Sequence, residues 1–190
     1  MATMKAGKIK FTNEASEAAF GYLKGEAKWA ELLTVGQFGT YGIKLYGDQV
    51  VEMKEELTAM QESAAAEVDE LGKKYELADL FKVDDEGKQY LAFKLPETDF
   101  EGKMNKIKMY DAGGNHIEDW DKLVGNGSVV KIKYRIAPYY MGSTKKVGIS
   151  FKFYACQVIN LVEFKQGDAG FGDESGDAIP DTSSKEGEDF

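Results

Sequence analysis

Val130-Lys131-Ile132-Lys133-Tyr134-Arg135-Ile136 alternates apolar with cationic residues, and Ala137-Pro138-Tyr139-Tyr140 follows it directly. A β-strand sends successive side chains to opposite faces. Val130, Ile132, Tyr134 and Ile136 are therefore expected in a core, and Lys131, Lys133 and Arg135 on a solvent face. Arg135 is the only arginine in the chain. After the basic loop Gly142-Ser143-Thr144-Lys145-Lys146-Val147-Gly148 a second alternating run begins. It puts Ile149, Phe151 and Phe153 inward and Ser150, Lys152 and Tyr154 outward. Residues 128–164 thus read as a β-hairpin with a cationic face flanked by aromatic rings.

Working outward, residues 28–35 and 40–46 read as two strands joined by the turn Gly36-Gln37-Phe38-Gly39. The second has Tyr41, Ile43 and Leu45 on one face and Lys44 and Tyr46 on the other. Residues 14–24 have mixed polarity and read as a helical turn or a loop. Asp48 is an N-cap for a single helix over 49–75. Val50, Met53, Leu57, Met60, Ala64, Val68, Leu71 and Tyr75 recur every three or four residues there, an apolar stripe to be packed on the domain. Glu52, Glu55, Glu56, Glu62, Glu67 and Glu70 make the opposite face, expected in solvent. Residues 80–83 and 89–95 form strands around the turn Asp84-Asp85-Glu86-Gly87. In 104–110, Ile107 and Met109 point inward and Lys106, Lys108 and Tyr110 outward. A helical turn over 118–123 carries Trp120. About seven short strands with one long helix predict an all-β fold: an OB-fold, a five-stranded Greek-key barrel with extra hairpins.

The net charge of −9 is not evenly spread. Residues 167–190 hold eight acids and one base, a net −7, which leaves −2 on the other 166 residues. The body, taken as residues 1–166, is nearly neutral. The Gly-, Ser- and acid-rich segment 167–190 is expected to be a disordered tail, because it offers too little apolar surface to offset its ordering entropy. An acidic pI of about 4.8 therefore does not argue against a nucleic-acid partner for the body.

Chemistry is sparse. One histidine, His116, stands in a turn, and one cysteine, Cys156, stands in an apolar strand. No disulfide within the chain is possible, and no CxxC, HExxH or P-loop pattern occurs, so neither enzyme, metal nor cofactor is expected. No 18-residue apolar run is present and the first residues lack a signal-peptide core, which predicts a cytoplasmic protein with no membrane partner. Binding chemistry is better represented. Single-stranded nucleic acid is held by cations on its phosphates and rings under its bases. The cationic candidates are Lys44, Lys106, Lys108, Lys131, Lys133, Arg135, Lys145, Lys146 and Lys152. The stacking candidates are Trp29, Phe38, Tyr41, Tyr46, Tyr139, Tyr140 and Tyr154.

Val147-Gly148-Ile149-Ser150-Phe151-Lys152-Phe153-Tyr154-Ala155-Cys156-Gln157-Val158 resembles the final-strand motif of the single-stranded DNA-binding proteins of tailed phages. The stretch from Trp29 to Tyr46, with Phe38-Gly39 and Tyr41, is similar to that family's opening hairpin. The resemblance implies an OB-fold and a role coating and protecting single-stranded DNA in phage replication and recombination, in the host cytoplasm; a monomer or dimer is expected. The ending Glu188-Asp189-Phe190 resembles tails that recruit replication proteins. Asp181, Glu186, Glu188, Asp189 and Phe190 are then the residues expected to meet a polymerase, helicase or nuclease, and the tail is expected to compete for the DNA groove. Ile179-Pro180 lies upstream of the end, unlike bacterial tails, in which Ile-Pro-Phe closes the chain. A non-enzymatic adaptor or structural β-protein, binding protein partners through its helix and acidic tail, is the alternative.

Overall fold

In the computed structural model, which describes residues 3–5 and 8–163, the chain order is β1 (Thr3–Lys5), β2 (Lys8–Lys10), β3 (Ala19–Glu31), β4 (Thr40–Tyr46), α1 (Asp48–Glu52), α2 (Lys54–Glu70), β5 (Glu76–Leu77), β6 (Lys82–Val83), β7 (Gln89–Pro96), β8 (Lys108–Tyr110), β9 (His116–Ile117), β10 (Ser128–Met141) and β11 (Lys146–Asn160). The main sheet runs β6-β7-β4-β3-β10-β11-β8-β9. Its five long strands, β7-β4-β3-β10-β11, form the barrel, with the Phe93 and Phe151 rings meeting edge to face at 5.6 Å across the closing side. This is the β-rich OB architecture with added hairpins that the strand count predicted.

The 128–164 hairpin is present as β10 and β11. Val130, Ile132 and Ile136 are fully buried and Tyr134 nearly so, while Lys131 and Lys133 face solvent. The alternation of β11 reverses partway. Lys133 pairs with Ala155 but Tyr134 with Phe153, so Tyr154 is an extra residue with no partner. Before this bulge Ile149 and Phe153 are buried; after it Cys156 and Val158 are. A single inserted residue exchanges the faces of all that follow it. Tyr154 is half-buried and packs against the core instead of pointing outward.

Three readings of the N-terminal half need correction. Residues 14–24 are no loop: after a 3-10 turn at Glu14–Ser16 they enter β3, which is thirteen residues long. The helix is two helices. Gly47, at φ +127, supplies the N-cap that Asp48 was expected to provide, a backbone conformation that glycine adopts without steric cost. Helix α1 ends at Glu52, with Met53 as its C-cap, and α2 ends at Glu70, five residues short of Tyr75. The stripe packs as expected as far as Val68, but Tyr75, read as its last member, is exposed. Val50, Met53, Leu57 and Met60 enter the barrel core, while Ala64 and Val68 pack on Val147. Glu67 is buried, not solvated: its carboxylate accepts from the Thr12 N–H at 2.9 Å and the Asn13 N–H at 3.2 Å.

Gln61, on the buried face of α2, donates to the carbonyls of Ala78 (2.7 Å) and Val147 (3.0 Å). The Glu76 and Ala78 amides donate to the carbonyls of Lys145 and Val147, both at 2.8 Å. The helix, β5 and the base of the 142–145 loop are thereby tied together.

Candidate nucleic-acid interface

The cationic face of β10 is flanked on both sides. On β3, Lys24 stands opposite Lys131, Tyr22 opposite Lys133 and Phe20 opposite Arg135. On β11, Gln157 stands opposite Lys131, Ala155 opposite Lys133 and Lys152 opposite Arg135. Strand β8 adds Lys108 beside Ala155 and Tyr110 beside Gln157. Two of these directly opposed pairs, Lys24/Lys131 and Arg135/Lys152, carry like charge, which costs stability in a sheet. None of the ion pairs among the described residues, Lys28–Asp84, Lys88–Glu86 and Lys122–Glu163, reaches them.

Phe20 and Tyr22 are 65% and 63% exposed. The Lys131 ammonium lies 5.2 Å from the Tyr22 ring centre, and the Arg135 guanidinium 5.6 Å from that of Phe20. Cations over ring faces hold the rings upright at the surface. Between Tyr22 and Tyr110 a groove of about 260 Å³ is lined by Lys131, Lys133, Ala155, Gln157 and Gly114. The Tyr110 ring is backed by His116 at 5.3 Å, and Gln157 is fixed by donating to the Ala112 carbonyl at 3.1 Å.

Phe20, Tyr22 and Lys24 were missed in the sequence because Ala19-Phe20-Gly21-Tyr22-Leu23 has apolar residues on both faces. The usable signal was an alternation of size, small Ala19, Gly21 and Gly25 against large Phe20, Tyr22 and Lys24, interrupted only by Leu23. Gly21 is required where it is: a Cβ there would meet the Tyr134 hydroxyl at 2.6 Å.

The residues proposed from sequence separate into groups. Lys131, Lys133, Arg135, Lys152 and Lys108 share the face just described. Tyr139 is at its end, its ring lying over Gly148, where a Cβ would come within 2.6 Å of the hydroxyl. Trp29 and Lys44 belong to the adjoining stretch of sheet, the Lys44 ammonium 5.8 Å from the indole and 5.0 Å from the Tyr90 ring. Lys145 and Lys146 are exposed at the hairpin tip. Lys106 donates to the Glu118 carbonyl at 3.5 Å. With Trp120 it lines a separate cavity of about 560 Å³. Phe38 is 78% exposed in the β3–β4 loop. Tail residues Asp181, Glu186, Glu188, Asp189 and Phe190 lie outside the described residues.

Three tyrosines, besides Tyr154, are not free platforms. Tyr41 is buried with Ile43 and Leu45 in the core. Tyr46 is on the outer face but covered: Tyr90 lies 5.2 Å away, the Lys28 ammonium 4.7 Å over its ring, and Asp84 hydrogen-bonds its hydroxyl. Burial, then the Asp84 charge, pushes its phenol up to about 12, so it stays neutral. Tyr140 turns inward, packs with Ala64, Ala65, Val68 and Val147, and donates to the Lys74 carbonyl at 3.2 Å.

Cys156 is fully buried, and burial raises its thiol to about 12, which leaves no thiolate for nucleophilic chemistry. Among the described residues no cluster of three or more His, Cys, Asp or Glu is placed to hold a metal, and no helix is long and apolar enough to cross a membrane.

Neither a protein-family model nor a curated protein sequence matches the chain. Solved structures do. The crystal structure of gp2.5, a single-stranded DNA-binding protein encoded by bacteriophage T7, aligns over 86% of this chain and 100% of its own, with TM-score 0.65 and 21% identity. The single-stranded DNA-binding protein of bacteriophage Enc34 aligns as a C-terminal truncation over 86% of this chain and 96% of its own (TM-score 0.45, 12% identity). In complex with single-stranded DNA it aligns over 77% and 88% (TM-score 0.43, 12% identity). The structural neighbours are thus phage single-stranded DNA-binding proteins, and the barrel of this chain is similar in fold to that of the T7 protein.

Proposed function

We propose that this protein binds single-stranded DNA without sequence preference on the outer face of β3, β10, β11 and β8, and that it coats and protects the strand during phage DNA replication and recombination. The observation that carries the reading is the pair of like-charge oppositions, Lys24/Lys131 and Arg135/Lys152, set beside exposed Phe20 and Tyr22. A surface that holds cations against one another is relieved by a polyanion, and phosphates spaced along a strand supply it. The rings take the bases, each stack contributing about 1–3 kcal/mol whatever the base. Similarity in fold to the T7 protein supports the same reading.

Residues 167–190, with their net −7, act in this reading as an internal rival for the cationic face. Once displaced by DNA, Asp181, Glu186, Glu188, Asp189 and Phe190 are presented to a replication polymerase, helicase or nuclease. The site of action is the host cytoplasm.

Titration of tryptophan fluorescence with oligo-dT at two salt concentrations tests the binding. Quenching is expected, with affinity falling at a log–log slope of about −0.7 per phosphate contact. Unchanged fluorescence together with no mobility shift of the oligonucleotide at low salt would overturn it.

A further inference from the structure

Along β3 the even residues Phe20, Tyr22, Lys24 and Glu26 are exposed, and the odd residues Leu23 and Ala27 are buried. In phase, Trp29 would point into the barrel. It does not, because the pairing with β4 slips: Lys28 faces Lys44 but Glu31 faces Gly42, so Trp29 and Ala30 together oppose the single residue Ile43. Trp29 takes φ +53, a left-handed conformation that is unfavourable for a bulky residue and that bulges of this kind usually assign to glycine. Its amide donates to the Asn126 Oδ1 at 2.8 Å, which holds the turned backbone. The result is an indole 66% exposed, beside the Lys44 ammonium. Past the bulge the alternation is reset, with Ala30 packed on the core and Leu32 buried. The largest side chain in the repertoire therefore occupies a glycine-type position and gains no core contact from it. Strain of this sort, held in place by its surroundings, is concentrated at binding sites.

We propose that Trp29 is a second base-stacking station and that Asn126 is its positioning residue, so that a bound strand follows the β3 ridge from Phe20 and Tyr22, past Lys24, to Trp29 and Lys44. The proposal rests on the reading that the β3–β10 face binds single-stranded DNA. It adds a direction and a length. Nine residues of strand at about 3.3 Å each span about 30 Å, so a stacked strand needs about nine nucleotides at ~3.4 Å to join the two stations. A tetramer is too short to join them, and the end with two rings, Phe20 and Tyr22, holds it in preference to the single ring of Trp29.

The test compares dT4 and dT16 binding by the full chain and its variants. Trp29→Ala is expected to cost about 5- to 150-fold on dT16, the value of one base–ring stack, and little on dT4. Trp29→Phe, which keeps a ring, recovers most of the loss. Asn126→Ala weakens dT16 binding in the wild-type background and adds nothing in the Trp29→Ala background, a non-additivity that a merely structural role would not produce. Trp29→Gly, which relieves the left-handed backbone, keeps the thermal midpoint at or above that of wild type while losing the same affinity as Trp29→Ala. If Trp29→Ala binds dT16 as wild type does while the Phe20→Ala, Tyr22→Ala double variant loses binding, the second station is wrong and the face reading stands. If wild type binds neither oligonucleotide, the face reading fails and this proposal with it.

Discussion

The Lys131 ammonium stands 5.2 Å from the centre of the Tyr22 ring, while the residue directly across the ladder from Lys131 is a second cation, Lys24. Ring and charges are therefore parts of one surface and separable by mutation. Tyr22→Ala is expected to lower oligo-dT affinity about 5- to 150-fold, the loss of one stack, with the salt slope unchanged. Lys131→Ala, by contrast, reduces the slope by about 0.7. Titrations at four salt concentrations distinguish the two; equal slopes for both variants would show that Lys131 makes no phosphate contact.

Glu26 is the one acid on the outward row between Lys24 and Lys28. Neutralising it removes repulsion from a strand following that row. Glu26→Gln is expected to raise affinity by up to about fivefold at low salt, the scale of an exposed charge interaction, and the gain fades as salt is added. A salt-independent gain would point to altered packing instead.

Leu57 is fully buried under the barrel, and Leu57→Ala is expected to cost about 2–5 kcal/mol in urea denaturation. Gln61→Ala removes the donor to the Ala78 carbonyl, at about 1–3 kcal/mol for a buried group left unpaired, while the Val147 carbonyl keeps the Ala78 amide. Both variants should bind oligo-dT normally wherever they are folded.

Stability should also depend on alkaline pH. Burial raises both the Cys156 thiol and the Tyr46 phenol to about 12, so the folded state keeps these protons while the unfolded chain begins to release them near pH 9 and 10. Their contribution is full below about pH 9 and declines as pH rises toward 12. Cys156→Ala removes the part that starts first, so the difference in urea midpoint between wild type and this variant should shift steadily against wild type from pH 8 to 10.5. A constant difference would mean that the thiol is not protected in the fold. Thiol-reactive dyes should label Cys156 only at the rate of unfolding.

Removing residues 167–190 is expected to increase DNA affinity, most strongly at low salt, because the segment's net −7 no longer opposes the phosphates. Affinity unchanged or reduced in electrophoretic titrations would reject the competition.

What was legible in the sequence, and what was not, follows from the physics of alternation. Residues 130–136 could be read because polar and apolar side chains change places at every step and one face is wholly buried. Residues 19–24 could not, because Phe20 and Tyr22 are apolar yet outward, so no polar face marks the strand. Tyr46 was correctly placed on the outer face, but its cover of Lys28, Tyr90 and Asp84 comes from three other segments, which one-dimensional periodicity does not reveal. Tyr154 was misread because a one-residue bulge has no compositional signature. The helix stripe was legible at three- and four-residue spacing; the break at Met53 was not, since no proline or glycine marks it.

The clamp on the hairpin tip has a kinetic meaning. With the Lys145 and Val147 carbonyls both held from the β5 segment, and Val147 also by Gln61, the lysines at 145 and 146 stand on a fixed rail. That loop is held at its base by the fold itself, so a strand arriving there does not have to order it first. With residues 167–190 removed, encounter on this side should proceed at a rate set mainly by electrostatic steering.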